Sequence, residues 1–216
     1  MDTLLPTTKH RRGRRTARQE RALASPGTAL MDATDLGNDL LLTGSEHIIL
    51  DIGFGSGDAV VALAQADPDS VIIGVDMHTP GIGDLLASIH ELSIANVRII
   101  DGDVRLVLAS IPPARLTGVR TFFPDPWPKK RHHRRRLVTG DLAADLAERV
   151  RPGGFWHLAT DWPDYAHVMD DTISSCPLWT GGVIPRPDWR PETRYERRGR
   201  AAGRESIDLW FTRVES

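Results

Sequence analysis

Apolar residues come along this chain in short runs, each ending in glycine or aspartate and most followed by a stretch with helical spacing. His47 to Ile52 is the first; it enters Gly53-Phe54-Gly55-Ser56-Gly57-Asp58, and a helical pattern follows through Ala66. Val71 to Val75 is the second and ends at Asp76, after which Thr79, as N-cap, and Pro80, at the first helical position, open a helix to about Leu92. Asn96 to Ile100 predicts a third strand, then Gly102-Asp103-Val104 and a short helix through Leu108. Val119 to Phe123 predicts a fourth strand and His133 to Val150 a helix, basic at its start and amphipathic from Leu137. Phe155 to Thr160 follows the turn Arg151-Pro152-Gly153-Gly154 as strand five and runs into Asp161. Tyr165 to Ser174 reads as helix, Leu178 to Ile184 as strand, Pro185 to Gly203 as an irregular basic loop and Ser206 to Arg213 as the last strand. Alternating strands and helices, with acids and glycines at the strand C-termini, predict a doubly wound α/β sheet that binds ligands along that edge. Residues 1–26 show no periodicity that would bury a face and are expected to form a flexible arm; 27–216 are expected to form a single domain, with the apolar run Leu40 to Leu42 docking on its core.

Composition sharpens this picture. A chain of 216 residues, 40% hydrophobic, can bury one full core. It has no apolar run long enough to span a membrane and no apolar leader, and Cys176 is its single cysteine. A cytoplasmic protein without disulfides, membrane contact or metal is expected, and the sequence favours neither a monomer nor a homodimer. The net charge of −2 conceals segregation: Lys9 to Arg21 carries seven bases and one acid, Lys129 to Arg136 six bases, and Arg186 to Arg204 seven bases and three acids. Basic segments on an acidic body suit a polyanion-binding enzyme.

The candidate chemistry lies at the strand ends. Gly53 and Gly55 let backbone approach a ligand closely. Asp51 faces that loop, where it would repel a pyrophosphate and favour a cation such as the α-ammonium of S-adenosylmethionine. Asp76 stands near the spacing at which nucleotide-binding folds grip ribose hydroxyls. Asp103 is placed either to accept from an adenine amino group or to cap the helix after it, the cap being the better fit to spacing alone. The run Thr121 to Arg136 reads Thr-Phe-Phe-Pro-Asp-Pro-Trp-Pro-Lys-Lys-Arg-His-His-Arg-Arg-Arg. Its prolines are expected to push Phe123, Asp125 and Trp127 towards extended geometry and hold Asp125 at a rigid corner. Arg134, Arg135 and Arg136 are expected to begin the following helix and reach only a nucleic-acid backbone, while His132 and His133 read as phosphate contacts or plain surface.

Those residues carry a resemblance. The Phe-Phe-Pro-Asp-Pro-Trp-Pro-Lys-Lys-Arg-His run, Ala159-Thr160-Asp161-Trp162 and Thr193-Arg194-Tyr195-Glu196-Arg197-Arg198-Gly199 resemble motifs of the bacterial tRNA (guanine-N7)-methyltransferase family, of the TrmB type, over about His47 to Val214. The resemblance implies a Rossmann-like class I S-adenosylmethionine-dependent methyltransferase fold, a mostly parallel seven-stranded sheet with an antiparallel last strand. It implies transfer of a methyl group to N7 of the variable-loop guanine, position 46 of tRNA. It implies that Asp51, Asp76, Asp103 and Asp125 hold the cofactor and that Lys129, Asp161 and Thr193 to Glu196 (Thr193, Arg194, Tyr195, Glu196) hold the substrate. Asp161 is the first candidate for contact with the guanine; Asp125 is cofactor-side with a share in the base. The family more usually has glutamate at the positions of Asp51 and Asp76, and Thr-Lys-Phe-Glu where this chain has Thr193-Arg194-Tyr195-Glu196; the segment Arg200 to Ile207 lacks its Gly-His pattern. The alternatives are methylation of another RNA or of a small purine, and an RNA-binding module without catalysis, against which the retained Asp51, Gly53, Gly55 and Asp125 speak.

Overall fold

The structure, a computed structural model, describes residues 13–37, 39, 42 and 44–215. Seven strands, β1 (Ile48–Ile52), β2 (Val71–Asp76), β3 (Val97–Asp101), β4 (Leu116–Phe122), β5 (Val150–Thr160), β6 (Trp179–Ile184) and β7 (Ile207–Arg213), form one sheet in the order β3-β2-β1-β4-β5-β7-β6. All neighbours are parallel except β7, which runs antiparallel to both β5 and β6. β1 is buried along its whole length, which is why its sequence is nearly continuous in apolar residues rather than alternating. The strand order reverses between β1 and β4, so their C-termini diverge and open a crevice at the edge where the sequence places its acids.

Helices cover both faces. α1 (Ala17–Ala24), α2 (Asp58–Ala66) and α3 (Thr79–Leu92) lie on one side, where Val60, Leu63, Ile82, Leu85 and Leu86 pack with Ile72 and Ile99. On the other, α4 (Val104–Leu108), α5 (Gly140–Arg149) and α6 (Pro163–Ser174) bring Val107, Leu142, Leu146, Met169 and Ile173 onto Leu50, Val119, Trp156 and Phe211. Each such fully buried aliphatic side chain contributes about 1.5–3 kcal/mol relative to leaving it in water. Among the described residues, no helix is long and apolar enough to cross a membrane.

Four local expectations are corrected. Residues 17–24, expected to bury no face, form α1 and pack on α3: Thr16 and Gln19 make a capping box, Ala22 and Gln19 are buried, and Arg18 forks onto Glu91. Its buried face is a glutamine and an alanine against Gly83, so hydrophobic periodicity does not reveal it. The helix expected over His133 to Val150 is two pieces, a 3-10 helix at Lys130–Arg135 and α5. Arg136 breaks them apart, donating to the Pro126 carbonyl and to Asp164, and Thr139 restarts the helix as N-cap. The loop expected over Pro185 to Gly203 contains α7 (Arg194–Ala201), capped by Thr193. The N-cap position of α3 is His78, which makes no side-chain capping bond, and Thr79 and Pro80 lie in the first turn. Of the Leu40 to Leu42 run, Leu42 is buried in the core and the other two lie outside the described residues.

Candidate active site

The loop after β1 is built to be approached. Gly53 and Gly55 hold φ of +74° and +63°, where any other residue is strained, and a side chain on Gly55 would press on the Tyr195 ring. The Gly53 N–H donates to the Val75 carbonyl at 2.8 Å; Gly55 N–H donates to Asp76 Oδ2 and His78 N–H to Asp76 Oδ1, each at 2.8 Å. Asp76 therefore ties the glycine loop to the start of α3; the Met77 N–H also donates to it, and its carboxylate retains acceptor capacity for a further donor. Burial raises its carboxyl above the ordinary range, partly offset by those backbone donors.

A cavity of about 230 Å³ opens beside this loop. Asp76, Met77 and His78 form one wall, Asp103 and Val104 a second, and Phe123, Pro124 and Asp125 a third, with Arg135 and Tyr195 at its margin. Asp103 also caps α4, accepting from Arg105 N–H at 3.1 Å, so the reading from spacing and the position on the cavity hold together.

The corner carrying Asp125 is restrained differently from expectation. Phe123 and Trp127 precede prolines, yet both have positive φ, 53° and 44°, instead of extended geometry. Such backbone is costly for aromatic residues and persists where the surroundings over-determine it. Here Phe123 N–H extends the ladder to the Ala159 carbonyl at 2.7 Å, Arg190 lies over the Phe123 ring, and Trp127 is held between Arg135 and His132. Lys129 is exposed and begins the 3-10 turn. Arg136 is buried under Tyr165 and bonded at both ends, so the expectation that it reaches a nucleic-acid backbone does not hold; Arg134 and Arg135 stay exposed.

Asp51 lies at the floor. It is buried, and its Oδ2 has no hydrogen-bond partner. Desolvation drives its carboxyl up to about 7, against the pull of the Arg120 charge on the neighbouring strand, and the Asp76 charge adds to the rise. Sequence reasoning missed Arg120, although a charge inside an apolar strand run was the available signal. It is buried too, with Nε and Nη1 unpartnered.

The Thr193 to Glu196 segment divides by role. Thr193 caps α7, accepting from Glu196 N–H at 3.1 Å. The Glu196 carboxylate is buried: Arg190 forks onto it with two bonds of 2.9 Å, and Arg186 and the Ser206 hydroxyl also donate. Burial alone would raise its carboxyl; the bonds from Arg186 and Arg190, then the Arg190 charge and Ser206, outweigh it and hold it at about 2. Arg190 is fully buried and also bonds Asp208, which pairs with His157 at 2.8 Å. No sequence pattern marked this cluster. Thr193, Arg194 and Tyr195 line a second, small cavity of about 20 Å³ beside the glycine loop, together with Asp51 and Gly53, and Tyr195 lines the large cavity as well. Asp161, at the end of β5, lines neither cavity; it accepts from Arg204 Nε at 2.8 Å and backs onto Gly199 of α7.

Against known proteins, residues 45–209 match the model of a family described as "Putative methyltransferase". The tRNA (guanine-N(7)-)-methyltransferase of Bordetella parapertussis is 43% identical over 212 residues, 95% of this chain and 84% of its own length. The chain belongs to the tRNA (guanine-N7)-methyltransferase family. The family's Streptomyces avermitilis protein is 45% identical over 181 residues, 81% of this chain but 62% of its own length, so the chain spans under two thirds of that relative. Among solved structures, an antibiotic-related methyltransferase superposes with a TM-score of 0.60 at 15% identity, covering 88% of this chain and 98% of its own. A 16S rRNA (adenine(1408)-N(1))-methyltransferase from Catenulisporales acidiphilia gives 0.58 at 16% identity, covering 86% and 94%. At that identity the likeness concerns the fold, the class I S-adenosylmethionine-dependent methyltransferase fold, as the family motifs implied.

Proposed function

We propose that this protein transfers the methyl group of S-adenosyl-L-methionine to N7 of guanine at position 46, in the variable loop of tRNA, forming 7-methylguanosine. The observation that carries the reading is the buried Asp51 carboxyl, one oxygen without a partner, at the foot of a glycine loop that opens on a cavity. An acid raised to about 7 by burial is a site awaiting a cation, and the cofactor's ammonium is one. The other residues fit the same group: Asp76 keeps acceptor capacity for ribose hydroxyls, Asp103 and Val104 form a wall suited to a purine, and Gly53 and Gly55 let its chain pass close to backbone. When bound, the cofactor supplies an electrophilic methyl on a sulfonium.

The protein's own part is positioning. Guanine N7 has an in-plane lone pair and no proton, so no base is needed to expose the nucleophile; in-line approach is what must be supplied. Asp125 sits on the cavity wall, where it orients the base and offsets positive charge gathering on the purine. Asp161 is the second carboxylate, suited to accept guanine N1–H and N2–H. Its bridge to the half-exposed Arg204 is worth about 1 kcal/mol or less, so an incoming base can displace it. Lys129, Arg134 and the exposed arginines of α7 take phosphates, and a tRNA substrate sets the cytoplasm as the place of work.

Unmodified tRNA transcripts given methyl-labelled cofactor should gain 7-methylguanosine at position 46 alone, and a transcript with adenine there should stay unlabelled. Single-turnover rates at saturating tRNA should fall about a hundredfold or more in Asp125→Ala and in Asp161→Ala, with tRNA affinity largely kept. Label at another base, or wild-type rates in both variants, overturns the reading.

A further inference from the structure

The small cavity beside the glycine loop is lined by two residues of opposite charge that each have a buried atom without a hydrogen-bond partner. These atoms are Asp51 Oδ2 and Arg194 Nε. At about 20 Å³ the cavity itself has room for about one water, so a larger ligand reaches these residues from the large cavity, which shares Gly53 and Tyr195 with it. A buried donor and a buried acceptor left unmade are each costly, so their sharing one small space points to a ligand that satisfies both.

We infer that Arg194 is a cofactor residue, its guanidinium binding the carboxylate of the amino-acid end of S-adenosylmethionine while Asp51 takes the ammonium beside it. This rests on the cofactor reading above and moves Arg194 away from the RNA. The zwitterion of an α-amino acid carries an ammonium and a carboxylate on one carbon, so a single end group can meet an acid and an arginine together.

The local fold supports the assignment. Arg194 is the first residue of an eight-residue helix, whose N-terminus favours an anion. That helix start is fixed by the Thr193 cap and by the buried Glu196 carboxylate, so the Arg194 side chain leaves a rigid platform. The same helix carries Arg197, Arg198 and Arg200 exposed on its outer side, and these suit phosphates; Arg194 is half-buried and turned inward. The second acid of the cavity, Asp58, is exposed and accepts the Ser56 hydroxyl at 3.0 Å, at the first turn of α2.

The test needs no RNA. Binding of S-adenosylmethionine and of its decarboxylated analogue, which keeps the ammonium and sulfonium, is measured by calorimetry on wild type, Arg194→Ala, Arg194→Lys and Asp51→Asn. Wild type should prefer the intact cofactor about tenfold or more, as expected for a charge-assisted bond. Arg194→Ala should lose that preference while binding the analogue as wild type does, and Arg194→Lys should restore part of it. Asp51→Asn should weaken both compounds by the same factor. Equal loss for both compounds in Arg194→Ala, or no loss for either, overturns the assignment and leaves the cofactor reading standing. If wild type binds neither compound, the cofactor reading itself falls.

Discussion

At Asp51, burial without a hydrogen-bond partner for Oδ2 makes the carboxyl a proton sink that the unfolded chain lacks. Its value rises from 3.8 to about 7, so between those pH values the folded state binds more protons than the unfolded state. Folding stability from this group is therefore largest near pH 4 and declines as pH rises through 7, by at most about 4 kcal/mol. Two other buried groups slope the opposite way: the depressed Glu196 gains stability as pH rises from 2 to 4.5, and the depressed His157 gains it as pH rises towards 6.5. The informative quantity is thus the difference between Asp51→Asn and wild type. The variant should be relatively less stable at pH 4 and relatively more stable at pH 8, read from denaturant midpoints across that range. A cation in the site must also drive the proton off. Cofactor binding near pH 7 should release protons into the buffer in wild type and none in Asp51→Asn, which calorimetry in buffers of different ionisation heat resolves. A difference in stability that does not change with pH would mean that Asp51 is ionised throughout.

The helix α7 is the element on which the site turns, and it was the one the sequence hid. Prolines at Pro185, Pro187 and Pro191 with a dense run of arginine read as an irregular loop, and the helix buries only Glu196 and Gly199, neither of which scores as hydrophobic. What holds it is a carboxylate between Arg186 and Arg190, charge contacts made across a turn that no hydrophobic period reports. The strands were legible for the opposite reason. β1 and β2 are buried on both faces, so each is a nearly continuous apolar run with a candidate acid at or next to its end, Asp51 in β1 and Asp76 in β2; β4 is equally buried but carries Thr117, Arg120 and Thr121. The acids of the candidate site could therefore be named in advance, whereas the division of Thr193 to Glu196 into three cavity residues, the first also a helix cap, and a buried anchor could not. Arg190→Ala tests the anchor. It strands the Glu196 and Asp208 carboxylates in the interior, and breaking a buried pair from one side costs about 3–5 kcal/mol. Chemical denaturation should show that loss, and Glu196→Gln should recover part of it in the double variant, since the stranded charge is then gone. A double variant no more stable than Arg190→Ala would place the cost elsewhere.

At the scale of the whole molecule, the described parts of the three basic segments each come near the large cavity. Arg135 and Tyr195 both line the large cavity, so the segments Lys129 to Arg136 and Arg186 to Arg204 each reach it. The third approaches from the side: Gly13 lies against Pro80 at the start of α3, next to His78 on the cavity wall, and Arg14 and Arg15 are exposed there. A net charge of −2 thus divides into a positive rim around the site and a negative remainder, an arrangement that draws a polyanion to one face. Each phosphate neutralised releases condensed counterions, so the logarithm of tRNA affinity should fall with the logarithm of salt by about 0.7–0.9 per contact. Cofactor binding, which involves few charges rather than a chain of phosphates, should change little over the same range. The variants must avoid Arg136 and Arg190, which are buried and hold the fold. Replacing exposed Arg134, Arg197 and Arg198 with alanine should reduce the salt slope by about one for each phosphate contact removed, leaving the single-turnover rate at saturating tRNA nearly intact. Filter binding between low and moderate salt gives the slope. An unchanged slope in the triple variant would mean that these arginines face solvent in the complex, and that the RNA is gripped by the Arg14 and Lys129 sides of the rim alone.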